Sequence, residues 1–189
     1  MTPRFRPLTP DLWPAFETFF SGQSETNNCW CMWWRLPSAE IVARNRDPLR
    51  RAFRDRVTEG PPPGLLALDG ETPVGWVQVT PRADVPRFNK ARMSKPTDGA
   101  DEDRVWAASC FFVAKPYRRS GLMTDLARAA CDHAAQHGAA AVEAAALKPR
   151  DSLQRGDGFV GIVPALARAG YREIEERSAV RVLMRWTPG

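Results

Sequence analysis

The sequence has little of several residue types on which common classes of protein depend. It contains four cysteines and two histidines in 189 residues, which is too few thiols for a disulfide-stabilised scaffold. It has no apolar run long enough to cross a bilayer, and residues 1–6 lack the apolar centre of a secretory signal. These absences predict a cytoplasmic protein that neither spans a membrane nor depends on disulfides.

What the sequence does contain fits one globular domain over residues 1–189. Apolar residues make up 43% and charged residues 26% of the chain, and the net charge is +5. The positive charge suits an anionic ligand, and nucleic acid is one such ligand. A solvated helix face is the simpler interpretation and makes nucleic acid a disfavoured partner, because many arginines recur within one predicted helix: Arg44, Arg46, Arg50, Arg51, Arg54 and Arg56.

Residues 109–138 form the most informative stretch of the chain. The run Cys110-Phe111-Phe112-Val113 is short, aromatic and apolar, which predicts the end of a buried strand. A basic turn follows, Tyr117-Arg118-Arg119-Ser120-Gly121. From Leu122 onward, apolar residues recur at helical spacing until Gly138 stops the helix.

A strand that leads through such a turn into a helix builds a site for an anion. The N–H groups of a first helical turn are unpaired, and the helix dipole adds partial positive charge there. Gly121 lets a ligand approach the backbone, and Arg118 and Arg119 supply charges suited to phosphate oxygens. An ordinary strand-to-helix connection with solvated arginines is the alternative interpretation.

The same stretch resembles the acetyl-CoA motif of the GNAT acyltransferases, Arg/Gln-x-x-Gly-x-Gly/Ala. Arg118 and Gly121 match it, whereas Met123 stands where the family has a small residue. Residues 73–77 resemble the central hairpin strand of the family, and residues 169–171 resemble the turn into its last strands. The resemblance implies an α/β fold with a mixed, mostly antiparallel central sheet, a splayed parallel pair in its middle, and helices on both faces.

In activity, the resemblance implies transfer of an acetyl group from acetyl-CoA to an amine of a small molecule or protein. The pantetheine of CoA would pair with the strand residues Phe111, Phe112 and Val113. The pyrophosphate would lie on the backbone N–H groups of the basic turn and the first helical residues, which are Arg118, Arg119, Ser120, Gly121, Leu122 and Met123.

The aromatic segment from Cys29 to Trp34 is a candidate wall for the amine, because rigid aromatic faces bind apolar or cationic groups. In GNAT proteins the segment near the first helices closes over the acceptor, which implies substrate-binding roles here. Filling of a hydrophobic core is the alternative for these rings. The candidate substrate residues are Cys29, Trp30, Cys31, Trp33, Trp34 and, from the hairpin strand, Trp76.

The sequence offers no evident general acid or base. Many GNAT relatives carry a glutamate early in the central strand and a tyrosine on the helix before the last strands, but Ala107 and Leu166 occupy these places here. Glu143, on the next parallel strand, is the candidate catalytic residue, as a base or a substrate anchor. Its alternative is an exposed strand glutamate. Proximity of amine and thioester can itself supply much of the acceleration.

Metal binding is not expected. A zinc ion could be imagined between Cys29, Cys31, His133 and His137. Neither the cysteine pair nor the histidine pair, however, has the ligand spacing of a closed zinc site. His133 shares a helix face with apolar residues, which favours a core position.

Further alternatives concern partners. The long charged segment from Pro81 to Asp103 carries cations that could meet an anion or stay solvated. A catalytically silent acyl-CoA-binding module and an RNA-linked aminoacyl acceptor are the functional alternatives, and a homodimer is compatible with the sequence. The cations of the segment are Arg82, Arg87, Lys90 and Arg92.

Overall fold

The computed structural model describes residues 3–23, 25–43, 46–97, 104–148 and 157–189. Within these residues the chain forms seven strands and six α-helices, with short 3₁₀ turns between some of them. In chain order they are β1 (Arg4–Pro7), α1 (Trp13–Ser21), α2 (Ser38–Ala43), α3 (Arg46–Glu59), β2 (Gly64–Asp69), β3 (Thr72–Pro81), α4 (Pro86–Lys90), β4 (Val105–Val113), α5 (Leu122–Gln136), β5 (Ala141–Leu147), α6 (Val163–Arg168), β6 (Arg172–Ser178) and β7 (Arg181–Trp186).

The seven strands form one sheet in the order β1-β2-β3-β4-β5-β7-β6. Neighbouring strands run antiparallel except β4 and β5, which are parallel and are joined by α5. A parallel pair needs such a crossover, since a tight turn can join only antiparallel strands. The predicted mixed, mostly antiparallel sheet with a parallel pair in its middle is therefore confirmed.

Helices cover both faces of the sheet, as predicted. Alternate residues of a strand point to opposite faces, and on β2 the side chains of Leu65 and Ala67 pack in the cluster that contains α5. Leu66 and Leu68 pack instead with the aromatic side chains of α1 and α3. The two cores are separated by the sheet, and both reach the middle strand β4.

The arginine-rich helix α3 has the character of a solvated helix face. Its apolar side chains recur at intervals of four residues and are buried, at Leu49, Phe53 and Val57. On its polar side, Nη1 of Arg50 lies 2.7 Å from the Glu17 carboxylate, and Nη2 of Arg56 lies 2.8 Å from Oδ2 of Asp84. Among the described helices, none is long and apolar enough to cross a membrane.

Candidate active site

The turn between β4 and α5 exposes a row of backbone amides. After a 3₁₀ turn at Lys115–Tyr117 the backbone enters the left-handed region at Arg119 (φ 65°) and again at Gly121 (φ 93°), and α5 begins at Leu122. Within the described part of the chain, the N–H groups of residues 119–123 have no hydrogen-bond acceptor. Unpaired amides at the start of a long helix form a cradle for an anion.

Strands β4 and β5 separate beside this turn. They pair only where Val105–Ala107 meets residues 141–143. Farther along, the N–H of Leu147 turns to the carbonyl of Gly161, 3.0 Å away. The N–H of Ala114 donates to Val74 on β3, so by alternation the backbone groups of Phe111 and Val113 face the gap.

A cavity of about 470 Å³ occupies this gap, and we call it the splay cavity. Eight of the nine residues predicted to bind CoA line it. The ninth, Ser120, is exposed and donates its hydroxyl to the carbonyl of Tyr117. The walls are formed by Phe111, Phe112, Val113, Tyr117, Arg118, Arg119, Gly121, Leu122, Met123, Thr124, Gly158, Phe159, Ile162, Ala165 and Arg168.

Arg118 is held across the mouth of the splay cavity. Its Nε donates to the carbonyl of Val113 at 3.0 Å, and its guanidinium carbon lies 6.0 Å from the centroid of the Phe112 ring. Arg119 and Arg168 also line the cavity and are exposed to solvent. Three guanidinium groups around unpaired amides give the cavity a positive potential suited to phosphate groups.

A second cavity of about 540 Å³, the aromatic cavity, lies on the α1 side of β4. Phe159 lines both cavities and is the wall that they share. Four of the six predicted substrate residues line the aromatic cavity. Its walls are formed by Phe20, Glu25, Thr26, Cys29, Cys31, Trp33, Trp34, Arg87, Ala91, Met93, Cys110, Phe159, Val160 and Arg181.

Trp30 and Trp76, the other two predicted substrate residues, lie in the core behind this wall. Trp76 is fully buried, and its indole N–H donates to Sγ of Cys31 at 3.1 Å. Trp30 stacks on Trp13 with ring centroids 6.3 Å apart. Trp30 and Cys31 have positive φ angles of 47° and 55°, and burial of both side chains holds this rarely populated backbone. The substrate role predicted for Trp30 and Trp76 is therefore replaced by a packing role.

Two thiols of the aromatic cavity, those of Cys29 and Cys31, are protonated at neutral pH. Burial, with a smaller contribution from the nearby Cys110, raises the pKa of Cys29 to about 11. Burial and a hydrogen bond with Cys110 raise the pKa of Cys31 well above its ordinary value. Because the thiolate is the nucleophile, these two cysteines are poorly suited to attack a thioester. In the described ranges, no group of three or more His, Cys, Asp or Glu side chains could hold a metal ion.

Glu143 is fully buried and forms ion pairs with two arginines, so it does not line either cavity. Its Oε2 accepts a hydrogen bond of 2.7 Å from Nε of Arg82, and its Oε1 accepts one of 2.8 Å from Nε of Arg185. Both carboxylate oxygens are thus engaged. The predicted role as base or substrate anchor is corrected to a structural one, and the alternative of an exposed glutamate is wrong as well. Ala107 and Leu166 are buried and bring no acid or base.

Several residues that line the cavities could not be predicted from the sequence. Phe159, Ile162 and Arg168 lie in α6 or just before it, and nothing in their local sequence indicates that this segment contacts the ends of β4 and β5. Arg87 belongs to the charged segment after β3, of which residues 98–103 lie outside the described part. The cations of that segment are the one feature of its sequence that points to a ligand. In the structure their positions differ, because Arg82 is buried whereas Arg87 lines the aromatic cavity.

The chain is similar to known proteins in sequence and in fold. The model of the family described as "Acetyltransferase (GNAT) family" matches residues 25–155. The structure of AAC(6')-Ib in complex with ribostamycin and coenzyme A is 14% identical, with 99% of this chain and 94% of that chain covered and a TM-score of 0.57. No curated protein sequence matches significantly.

Two further solved structures have the same fold at similar distance. PaiA N-acetyltransferase from Thermoplasma acidophilum, in complex with coenzyme A, is 10% identical with full coverage of both chains and a TM-score of 0.56. The acetyltransferase of the GNAT family from Streptococcus pneumoniae is 14% identical, with 99% of each chain covered and a TM-score of 0.56.

Proposed function

The chain belongs to the acetyltransferase (GNAT) family, and from that premise we propose that it transfers the acetyl group of acetyl-CoA to an amine held in the aromatic cavity. Membership confirms the resemblance that the sequence shows around Arg118 and Gly121, and it confirms an acetyltransferase as the class of enzyme. The residues that bind CoA and the amine are part of the proposal.

The splay cavity is the proposed site for CoA, and one observation carries this assignment. The unpaired N–H groups of residues 119–123 lie at the mouth of a gap whose inner edge is the stretch of β4 around Phe111 and Val113 that does not pair with β5. A diphosphate fits the amide cradle. An extended pantetheine fits the strand edge, where its amides would replace the missing strand partner.

The aromatic cavity is the proposed site for the amine, because it meets the splay cavity at Phe159. Attack by a neutral amine forms the N–C bond, breaks the C–S bond and sends the electron pair to the thiolate, which regains a proton lost by the nitrogen. Of the N–H groups of Phe111 and Val113, the one that the pantetheine leaves unpaired would donate to the thioester oxygen. With Glu143 occupied in ion pairs, holding the two reactants together supplies the main part of the acceleration.

Calorimetry with CoA and with pantetheine, which lacks the diphosphate and the adenosine 3′-phosphate attached to it, tests the donor site. We expect CoA to bind at least about tenfold more tightly, because charge-assisted hydrogen bonds to the amide cradle contribute about 1.5–3 kcal/mol. Absence of CoA binding, or equal affinity for both, would contradict the proposal. Release of CoA thiol is then measured with a panel of amines, and binding without any amine-dependent release would favour the silent acyl-CoA module.

Three broader features are proposed with this function. We propose that residues 1–189 act as one domain, that the protein works in the cytoplasm, and that a homodimer is its assembly. Cell fractionation tests the location, and sedimentation analysis of the purified chain tests the assembly.

A further inference from the structure

The walls of the aromatic cavity carry an uneven set of charges. Most of the lining is apolar, including Trp33, Trp34 and Phe20, and the charged lining residues are Glu25, Arg87 and Arg181. Two guanidinium groups against one carboxylate give these walls a net charge of about +1. A polycationic acceptor needs several carboxylates, and the described lining supplies a single one.

Arg87 is held in place at this cavity. Its guanidinium lies over the ring of Trp33, with the Cζ atom 3.9 Å from the ring centroid. Its Nη1 donates to the carbonyl of Trp33 at 3.2 Å, and its backbone N–H donates to the carbonyl of Trp34 at 3.1 Å. A guanidinium fixed in this way loses little conformational entropy when it binds a ligand.

Arg87 also retains donors for a ligand. No carboxylate in the described residues lies within salt-bridge distance of it, and a guanidinium carries five N–H groups, of which one is used by the carbonyl of Trp33. Trp33, on which it stacks, is 43% exposed. The pair therefore forms a flat, partly solvated rim that presents a cation beside an apolar interior.

From this arrangement we infer the class of acceptor: a primary amine on an aromatic-sized apolar body that carries a carboxylate at the end remote from the amine. The inference rests on the proposed function. The apolar body fills a cavity of about 540 Å³, a normal size for a small ligand, and the carboxylate pairs with Arg87. The cationic, apolar surroundings disfavour the ammonium form, so they help to supply the neutral amine without a dedicated base.

A matched pair of amines tests the inference. 4-(2-Aminoethyl)benzoate has the carboxylate and 2-phenylethylamine lacks it, while spermidine represents polycations. We expect kcat/KM for the benzoate to exceed that for 2-phenylethylamine by about tenfold, since only the benzoate can form a charge-assisted pair with Arg87. Arg87→Gln is expected to bring this ratio close to one. Arg92→Gln, which changes an exposed arginine outside the cavity lining, is the control and is expected to keep the ratio.

The outcomes separate this inference from the proposed function. CoA affinity, measured by calorimetry, serves as the folding check for both variants, because the splay cavity does not include Arg87. Absence of CoA binding to the wild-type protein overturns the proposed function. Suppose that CoA binds but the benzoate is not acetylated, or is not preferred over 2-phenylethylamine and spermidine. The acceptor class is then overturned while the donor site stands. A ratio unaffected by Arg87→Gln overturns the role of Arg87.

Discussion

Cys29 illustrates how its surroundings decide the chemistry of a single side chain. It lines the aromatic cavity, where a nucleophile would be expected, yet burial raises its pKa to about 11. At pH 7 about one such thiol in 10,000 is ionised, against about one in 100 for a thiol with a pKa of about 9. The residue therefore serves the cavity as a small apolar group.

We expect iodoacetamide to alkylate Cys29 about a hundredfold more slowly than a free cysteine thiol at pH 7, because the thiolate is the reacting form. The rate should rise as the pH rises toward 11. Mass spectrometry of the peptide that contains Cys29, sampled over time, measures the rate, and the same peptide in 6 M urea is the control. Alkylation within tenfold of the free thiol would show that Cys29 is ionised in the folded protein.

His133 is a second residue whose charge is set by burial. Burial, with a smaller contribution from His137, lowers its pKa to about 4, and its ring packs against Trp106 with centroids 5.9 Å apart. The unfolded chain takes up a proton near pH 6.5, whereas the folded protein resists protonation until about pH 4. The stability that depends on neutral His133 is therefore complete above about pH 6.5 and is lost as the pH falls toward 4.

Between pH 7.5 and pH 5 the wild-type protein is expected to lose about 2 kcal/mol more unfolding free energy than His133→Phe, which keeps an aromatic ring and cannot be protonated. Urea denaturation at the two pH values measures this difference, and contributions from titrating groups remote from His133 cancel in the comparison. Equal losses in both proteins would mean that His133 is readily protonated in the folded state.

At the scale of elements, the turn from β4 to α5 depends on backbone conformation. Gly121 has a φ of 93°, and a Cβ added there would meet no atom within 4 Å, so a substitution strains the backbone without a clash. Gly70, in the turn between β2 and β3, has a φ of 59° and equally open surroundings. The two glycines therefore differ chiefly in their distance from the amide cradle.

Gly121→Ala and Gly70→Ala are each expected to lower the unfolding free energy by about 1–2 kcal/mol, because alanine is disfavoured in the left-handed region. Gly121→Ala alone should also weaken CoA binding by about tenfold or more, since the cradle loses its shape. Calorimetry with CoA, combined with urea denaturation, separates the effects. If both variants bind CoA equally well, the diphosphate does not lie on this turn.

The elements around the turn could be predicted because their signals are local. The apolar run of β4 and the helical spacing of α5 are adjacent in the chain, and the change of period between them marks the turn. The partners of Glu143 could not be predicted in this way, because Arg82 lies 61 residues away and nothing in either neighbourhood indicates the pairing. For the same reason, Trp30 and Trp33 look alike in sequence although one is buried and the other lines a cavity.

At the scale of the whole molecule, the ion pairs of Glu143 connect distant parts of the chain. They join β5 to β7 through Arg185 and to the segment after β3 through Arg82. Nη2 of Arg82 donates further to the carbonyl of Ser94 at 3.0 Å, which ties that segment to the centre of the sheet. The segment also carries Arg87, which lines the aromatic cavity.

Glu143→Gln is expected to cost about 3–5 kcal/mol of unfolding free energy, because it leaves two guanidinium groups without their anion. Glu143→Gln combined with Arg185→Gln should recover part of the loss, since one stranded charge is removed. Urea denaturation measures both. For the folded Glu143→Gln protein, kcat at 25 °C should stay within about threefold of the wild-type value, whereas a hundredfold fall with unchanged stability would restore Glu143 as the base.

Phe159 lines both the splay cavity and the aromatic cavity. A synthetic inhibitor in which the sulfur of CoA is linked by a two-carbon bridge to an arylalkyl amine would occupy the splay cavity and the aromatic cavity at once. Tethering makes engagement of the second half intramolecular, so its affinity should exceed that of either half by about 10²–10⁴. Because the two cavities meet at Phe159, such a compound would inhibit this enzyme selectively: other CoA-binding enzymes need not have the aromatic cavity.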